Sequence, residues 1–193
     1  MALAATTTEL SAFQILRDEH AAVSSVLRAM SRLIDRGPAD DPSGFFDLLR
    51  SMLFYIDEFP EHRHHPKESD LLFPKIARHL PELMPVIRRL EADHLQGEGR
   101  VRELQHLLLA WELLGESRRA AFVATAQDYV RFYLDHMRTE EVQLLPAAER
   151  DLPEADKAEL DAAFCHERDP LAGGESHPNY DRLFARVLMK VPA

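Results

Sequence analysis

The stretch 81–114, PELMPVIRRLEADHLQGEGRVRELQHLLLAWELL, decides the fold. Within it Leu83, Ile87, Leu90, His94, Gly97, Val101, Leu104, Leu108 and Trp111 follow one another at steps of four and three. That spacing draws the inward face of a bundled helix. Gly115 stands where such a helix would stop.

Three more stretches carry the same period. Residues 10–35 align Phe13, Leu16, Val23, Leu27, Met30 and Ile34, with His20 on the same line. From about Gly44 the line reads Leu49, Leu53, Ile56, Pro60, His64, Glu68 and Leu72. Pro60 and Pro66 lie inside this second helix, where each removes a backbone hydrogen bond and should bend or open it. The apolar pattern resumes at Leu71-Leu72-Phe73, so a single element is expected. Residues 117–150 align Phe122, Ala126, Tyr129, Tyr133, His136, Glu140 and Leu144.

Turn-forming residues at 36–43 and Pro81 separate the first three stretches. The expected fold is all-α: an up-down-up-down four-helix bundle over about 10–150. A helical extension over about 154–191 should follow, with a short helix at 154–166, a loop at Asp169-Pro170 and Ala172-Gly173-Gly174, and a last short helix from Pro178 to Val191. The whole of 1–193 reads as one domain.

Composition narrows the function classes. Charged residues make up 29% and hydrophobic residues 46% of the chain, the balance of a soluble globular protein. The net charge of −10 and the lack of a basic stripe argue against nucleic acid and anionic membranes as partners. Residues 1–10 have neither a basic n-region nor an apolar h-region, and no apolar run has membrane-spanning length. The lone Cys165 permits no internal disulfide or thiolate cluster, which suits a reducing compartment. A cytoplasmic protein, monomeric or homodimeric, is expected, with Cys165 as a structural thiol outside the bundle.

The chemistry lies in four histidines on four helices: His20, His64, His94 and His136. Two of them begin His-x-x-x-Glu pairs, His64 with Glu68 and His136 with Glu140. A spacing of four residues puts both side chains on one helix face. Depth along the bundle supports their meeting. The His64/Glu68 pair, centred on residue 66, lies 14 residues before a turn at Leu80, and His94 lies 14 after it. His94 lies 22 residues before a turn at Glu116, and the His136/Glu140 pair, centred on 138, lies 22 after it. The first turn fits less well: His20 is 15 residues before Asp35, whereas His64 is 20 after Gly44.

Carboxylates in an apolar core are rare unless paired or ligating a metal. Four imidazoles and two carboxylates at one level suit two ions of iron, manganese or zinc, with the carboxylates bridging them. Without thiolates the set is not that of a structural zinc site. It leaves metal positions open for a small ligand.

Specific segments of this set resemble the bacterial hemerythrin-like family, also called the HHE cation-binding family. They are Tyr55-Ile56-Asp57-Glu58-Phe59-Pro60-Glu61, His64-His65-Pro66-Lys67-Glu68, Leu72-Phe73-Pro74 and His136-Met137-Arg138-Thr139-Glu140-Glu141. Asp169-Pro170-Leu171 with Leu183-Phe184 is similar to one bacterial branch, and the likeness spans about 10–191. The resemblance implies an oxo- or hydroxo-bridged di-iron centre with His20, His64, Glu68, His94, His136 and Glu140 as ligands. The O₂-carrying members have a second histidine four residues after the third-helix ligand. Here that position is Glu98, preceded by Gly97. This resembles the variant with fewer histidines found among iron-repair, nitric-oxide-response and iron-sensing relatives.

His65 should point about 100° from His64 on an ideal helix, which reads as a solvated or supporting histidine. Glu98 should lie at the rim. Glu61, one turn before His64, could accept from an imidazole N–H. Tyr133 reads first as core packing, with a role beside the metals as the alternative. His62, His79, His106, His166 and His177 read as surface residues, and Trp111 as core. The leading function is a di-iron protein that binds or senses O₂ or NO, or handles iron under oxidative or nitrosative stress. Peroxidase- or catalase-like turnover, and a bundle with another metal acting through protein contacts, are the alternatives.

Overall fold

The computed structural model describes residues 10–175, 178–180, 183 and 185, and every regular element among them is helical. The first rod is α1 (Ala12–Arg36). Ser11 caps its start by accepting the Gln14 N–H, and Gly37, at φ 72°, ends it in a left-handed turn that a residue with a Cβ would adopt only under strain. The second rod starts as α2 (Pro42–Ile56), where the Asp41 side chain accepts the Gly44 N–H and Pro42 fills the first turn.

The second rod then changes pitch without breaking. It passes through a π-helical stretch (Asp57–His64), α3 (His65–Lys67), a second π-helical stretch (Glu68–Leu72) and α4 (Phe73–His79). Pro60 has no N–H to donate, and the wider π turn accommodates that gap. The expected bend is therefore a widening, and one element survives.

Leu80 leaves helical geometry and a 3₁₀ turn (Pro81–Leu83) leads into α5 (Met84–Leu114). Gly115, at φ 84°, ends α5. After a 3₁₀ turn (Glu116–Arg118) the fourth rod runs through α6 (Arg119–Thr139), a π-helical stretch (Glu140–Leu144) and α7 (Leu145–Asp151). The short helix α8 (Glu154–Phe164) stops two residues before the expected end at residue 166.

α1 packs on α2 and α6, and α5 packs on α2 and α6. Contacts between neighbouring rods run in opposite senses along the chain. Arg17, His20 and Ser24 meet Glu149, Glu141 and Met137 in turn. Arg50, Asp57 and Ser69 meet Glu112, Gln105 and His94. α8 closes one end of the rods, with the Ala12 N–H donating to Asp161 at 2.6 Å and Lys75 pairing with Asp156 and Glu159.

Among the described residues the core is two apolar clusters rather than one. The first includes Leu27, Met30, Leu49, Leu53, Leu104, Leu108, Trp111, Phe122 and Tyr129. The second includes Phe13, Leu16, Phe73, Ile76, Ile87, Leu90, Leu145 and Phe164. Between them along each rod lie His20, His64, His94 and His136, so a polar layer interrupts the hydrophobic interior.

One expectation changes and others pass out of view. Cys165 is exposed, its thiol directed at the Ala162 carbonyl, so it fills no structural role in a core. Pro178–Tyr180 forms a 3₁₀ turn, and most of the last expected helix, with His177, lies outside the described residues. No helix among the described residues is long and apolar enough to cross a membrane.

Trp111 meets Phe45, Phe46 and Phe122 ring to ring at 5.2–5.6 Å, about 25 Å along α5 from His94. Trp111→Ala is expected to cost about 3–5 kcal/mol in chemical denaturation. The same variant should leave metal content per folded chain unchanged, because the cavity opens in the far cluster.

Candidate metal centre

The structure brings all six expected site residues together. His20 and His64 approach with their Nε2 atoms 3.2 Å apart, and His94 and His136 do the same at 3.2 Å. The carboxylates lie between the two imidazole pairs. Glu68 puts Oε1 3.3 Å from His64 Nε2 and Oε2 3.4 Å from His94 Nε2. Glu140 puts Oε1 3.4 Å from His136 Nε2 and Oε2 3.2 Å from His20 Nε2. Each carboxylate thus reaches both pairs.

The outer nitrogens are held by a second ring of residues. His64 Nδ1 donates to Glu19 at 2.7 Å, and His20 Nδ1 to Glu141 at 3.2 Å. His136 Nδ1 donates to Asp93 at 3.4 Å, and His94 Nδ1 lies 2.8 Å from Ser69 Oγ. With the proton on Nδ1, each Nε2 lone pair faces inward. An imidazole oriented this way is arranged as a metal ligand.

The inward carboxylates supply the test of fit. Glu68 and Glu140 are fully buried, and none of their four oxygens has a hydrogen-bond partner among the described residues. Orphaned buried oxygens cost several kcal/mol each unless something satisfies them. Their electrostatics call for positive charge. Burial and the Glu140 charge push the Glu68 pKa up, but His64 and His94 more than offset them and hold it at about 2. Burial lowers the His136 pKa, yet Glu140, Asp93 and Glu68 lift it to about 10. His20 and His64 are raised in the same way against their burial. A cation among the Nε2 atoms and carboxylate oxygens would replace those protons. The ligand atoms of His20, His64 and Glu68 lie within 4.8 Å of one another, as do those of His65, Glu68, His94 and His136.

His65 departs from the expected place. It is buried, stacked on His94 with ring centroids 4.1 Å apart, and not solvated. The angle of about 100° per residue belongs to an α-helix. The π-helical stretches on both sides turn less per residue, so His64 and His65 both face inward. Both His65 nitrogens are engaged: Nδ1 donates to Glu61 at 3.2 Å and Nε2 accepts from Tyr133 O–H at 2.8 Å. Burial holds its pKa well below 6.5, so it is neutral.

Glu61 does accept from an imidazole, but from His65 rather than His64, and it also accepts from Tyr129 O–H at 3.2 Å. Gly97 makes room for it. A Cβ on Gly97 would lie 2.5 Å from Glu61 Oε2. Tyr133 is packing and hydrogen-bond donor at once. Glu98 pairs with Arg102 and lies 3.6 Å from His62 at the surface, outside the site. His62, His79, His106 and His166 are exposed as expected.

Sequence reasoning missed Glu19, Asp93, Glu141 and Ser69. A signal was present: Glu19 and Asp93 each precede a site histidine by one residue, and Glu141 follows a site glutamate. An acid at such a position stands at the edge of the inward face, within reach of the neighbouring rod.

Helical rods around a buried layer of imidazoles and carboxylates define a metal-binding helical protein. The Hemerythrin HHE cation binding domain matches residues 11–148, and the chain belongs to that family. No curated protein and no solved structure matches the chain.

Glu61 yields a pH prediction. Burial raises its pKa from 4.5 to about 7, so its contribution to stability is full below pH 4.5 and is lost as pH rises through about 7. The loss amounts to about 3 kcal/mol. Glu61→Gln should remove this slope from denaturation midpoints measured between pH 4.5 and pH 7. An unchanged slope would mean that Glu61 titrates as an ordinary carboxylate.

Proposed function

We propose that this chain is a non-haem di-iron protein that binds or senses O₂ or NO, or handles iron under oxidative or nitrosative stress. The reading takes residues 1–193 as a single domain whose rods form an up-down-up-down four-helix bundle, a topology supported by the opposed contacts between neighbouring rods. The observation that carries it is the set of four buried carboxylate oxygens that have no hydrogen-bond partner among the described residues and face four imidazole Nε2 atoms at 3.2–3.4 Å.

His20 and His64 would hold one ion, and His94 and His136 the other. Glu68 and Glu140 would bridge the two. Imidazole with carboxylate suits iron, manganese or zinc. When bound, an iron pair supplies reversible electron transfer and open positions for a diatomic ligand. The apolar clusters above and below the layer would keep bulk water and large molecules away. The single cysteine fits a cytoplasmic setting.

The test is elemental analysis with absorption spectra before and after anaerobic reduction and re-exposure to air. About two irons per chain and near-ultraviolet bands that bleach and return are expected. His64→Ala and Glu68→Ala should each lose metal; full occupancy in both would sink the assignment.

One observation favours a second reading, peroxide turnover at the same site. Tyr133, His65, Glu61 and Tyr129 form a continuous buried chain of hydrogen bonds beside His94 and His136. Glu61, with a pKa of about 7, can exchange a proton near neutrality. Under this reading iron-loaded protein consumes peroxide, and Tyr133→Phe slows it at unchanged iron content by about tenfold or more. Equal rates in the two proteins would remove the chain from the chemistry.

A further inference from the structure

The family match ends at residue 148, yet a loop beyond it is built into the site. After α8 the chain turns back and buries Asp169 against α1 and the second rod. The Asp169 backbone N–H donates to Glu19 Oε1 at 3.0 Å. The other oxygen, Glu19 Oε2, takes the Nδ1 proton of His64 at 2.7 Å. One carboxylate therefore joins the loop to an inward-facing imidazole.

The loop is fixed on several sides. The Asp169 carboxylate accepts from Tyr55 O–H and from the Leu171 N–H at 2.8 Å. Lys67 Nζ donates to the His166 carbonyl at 2.5 Å and to that of Glu167 at 3.3 Å. Gly174 lets the turn close, since a Cβ there would lie 2.2 Å from the Arg168 carbonyl oxygen. Beneath the loop, beside Glu19, His64 and Asp169, the cavity measures only about 10 Å³, room for about one water. Glu19 is 4% exposed. With room for so little water, its bond to His64 works in a reduced dielectric and is strengthened.

On the opposite pair the acid has a different partner. Asp93 stands in Glu19's place for His136 at 3.4 Å, its side chain 16% exposed against 6% for Glu19, and Arg89 Nε lies 4.0 Å from its carboxylate. The two halves differ in what holds the acid, not in the burial of the imidazole, since the side chains of His136 and His64 are 3% and 11% exposed.

We propose that the 165–174 loop is a working part of the metal centre, in which Asp169 is a positioning residue that fixes the His64 imidazole through Glu19. The inference rests on the di-iron reading above for its purpose, but not for its geometry. A carboxylate that is itself held cannot rotate away, so His64 stays in the tautomer and orientation that offer Nε2 to a cation. Removing a partner of this kind costs about 10–100-fold in metal affinity.

The test uses full-length protein and two loop variants, Asp169→Ala and Gly174→Ala, with Glu19→Gln and the double variant Glu19→Gln/Gly174→Ala. Circular dichroism and thermal unfolding establish that each remains folded. Two quantities are read: the solvent-exchange rate of the His64 Nδ1 proton by NMR in metal-free protein, and the rate of iron release to a chelator. Both loop variants are expected to exchange that proton at least tenfold faster and to release iron about 10–100-fold faster. The double variant should be no worse than Glu19→Gln alone, since the loop acts through Glu19. Wild-type exchange in both loop variants, or additive losses in the double variant, would overturn the inference. Wild-type protein that takes up no iron would overturn the di-iron reading instead, and the proton-exchange result would still decide the role of the loop.

Discussion

Two carboxylates buried between apolar clusters, Glu68 and Glu140, set the terms for the rest of the molecule. Ionised groups in such a place are expensive unless opposite charge is supplied at the same depth. The chain supplies it from all four rods, one histidine each, so every helix is tied to one level of the interior. The same arrangement explains the raised imidazoles and the lowered Glu68. Protons on the histidines and a metal cation are competing ways of meeting one electrostatic demand. A cation bound at this level would therefore stabilise the fold as well.

The fold was legible because its signal is local. The face of a helix is set by its own sequence, and the step of four and three from Leu83 to Trp111 needs no partner to be recognised. Nearly every residue on the four lines is buried, and His20, His64, His94 and His136 meet as their depths required. The outer acceptors left only a faint signal, an acid beside a site residue, because each pairing depends on where a different helix lies. Glu19 serves His64 and Asp93 serves His136, and neither pairing leaves a fixed spacing in the sequence.

The second rod shows where an α-helical ruler fails. The unequal distances about the first turn, 15 residues to His20 and 20 to His64, are reconciled in part by the π turns, which hold more residues for the same advance. Pro60 and Pro66 were the visible sign of irregularity, but a proline does not say whether a helix will kink, break or widen. Widening has a chemical consequence. It brings His65 inward beside His94, and with it Glu61, for which Gly97 leaves the space. Where O₂-carrying relatives have a histidine at the position of Glu98, this chain keeps an imidazole near the same layer from the neighbouring rod. That imidazole is hydrogen-bonded to Tyr133 and Glu61 and lies with Glu68, His94 and His136 in one candidate ligand group.

The site repeats itself along the chain. In α1 the pair Glu19-His20 sends its histidine inward and its acid to His64 on the next rod. In α5 the pair Asp93-His94 does the same for His136. Each half then completes itself with a glutamate four residues beyond the second histidine. The repeat makes the two halves chemically alike, and such a pair would hold two cations with similar strength. What separates them is how the outer acids are held: the loop seats the Asp169 N–H on Glu19, whereas Asp93 lies 4.0 Å from the half-exposed Arg89. Both imidazoles are largely buried, with side-chain exposures of 11% for His64 and 3% for His136, so burial alone does not distinguish the halves. A buried carboxylate that accepts a backbone N–H is held in one direction, while a long, solvated ion pair fixes its carboxylate only weakly.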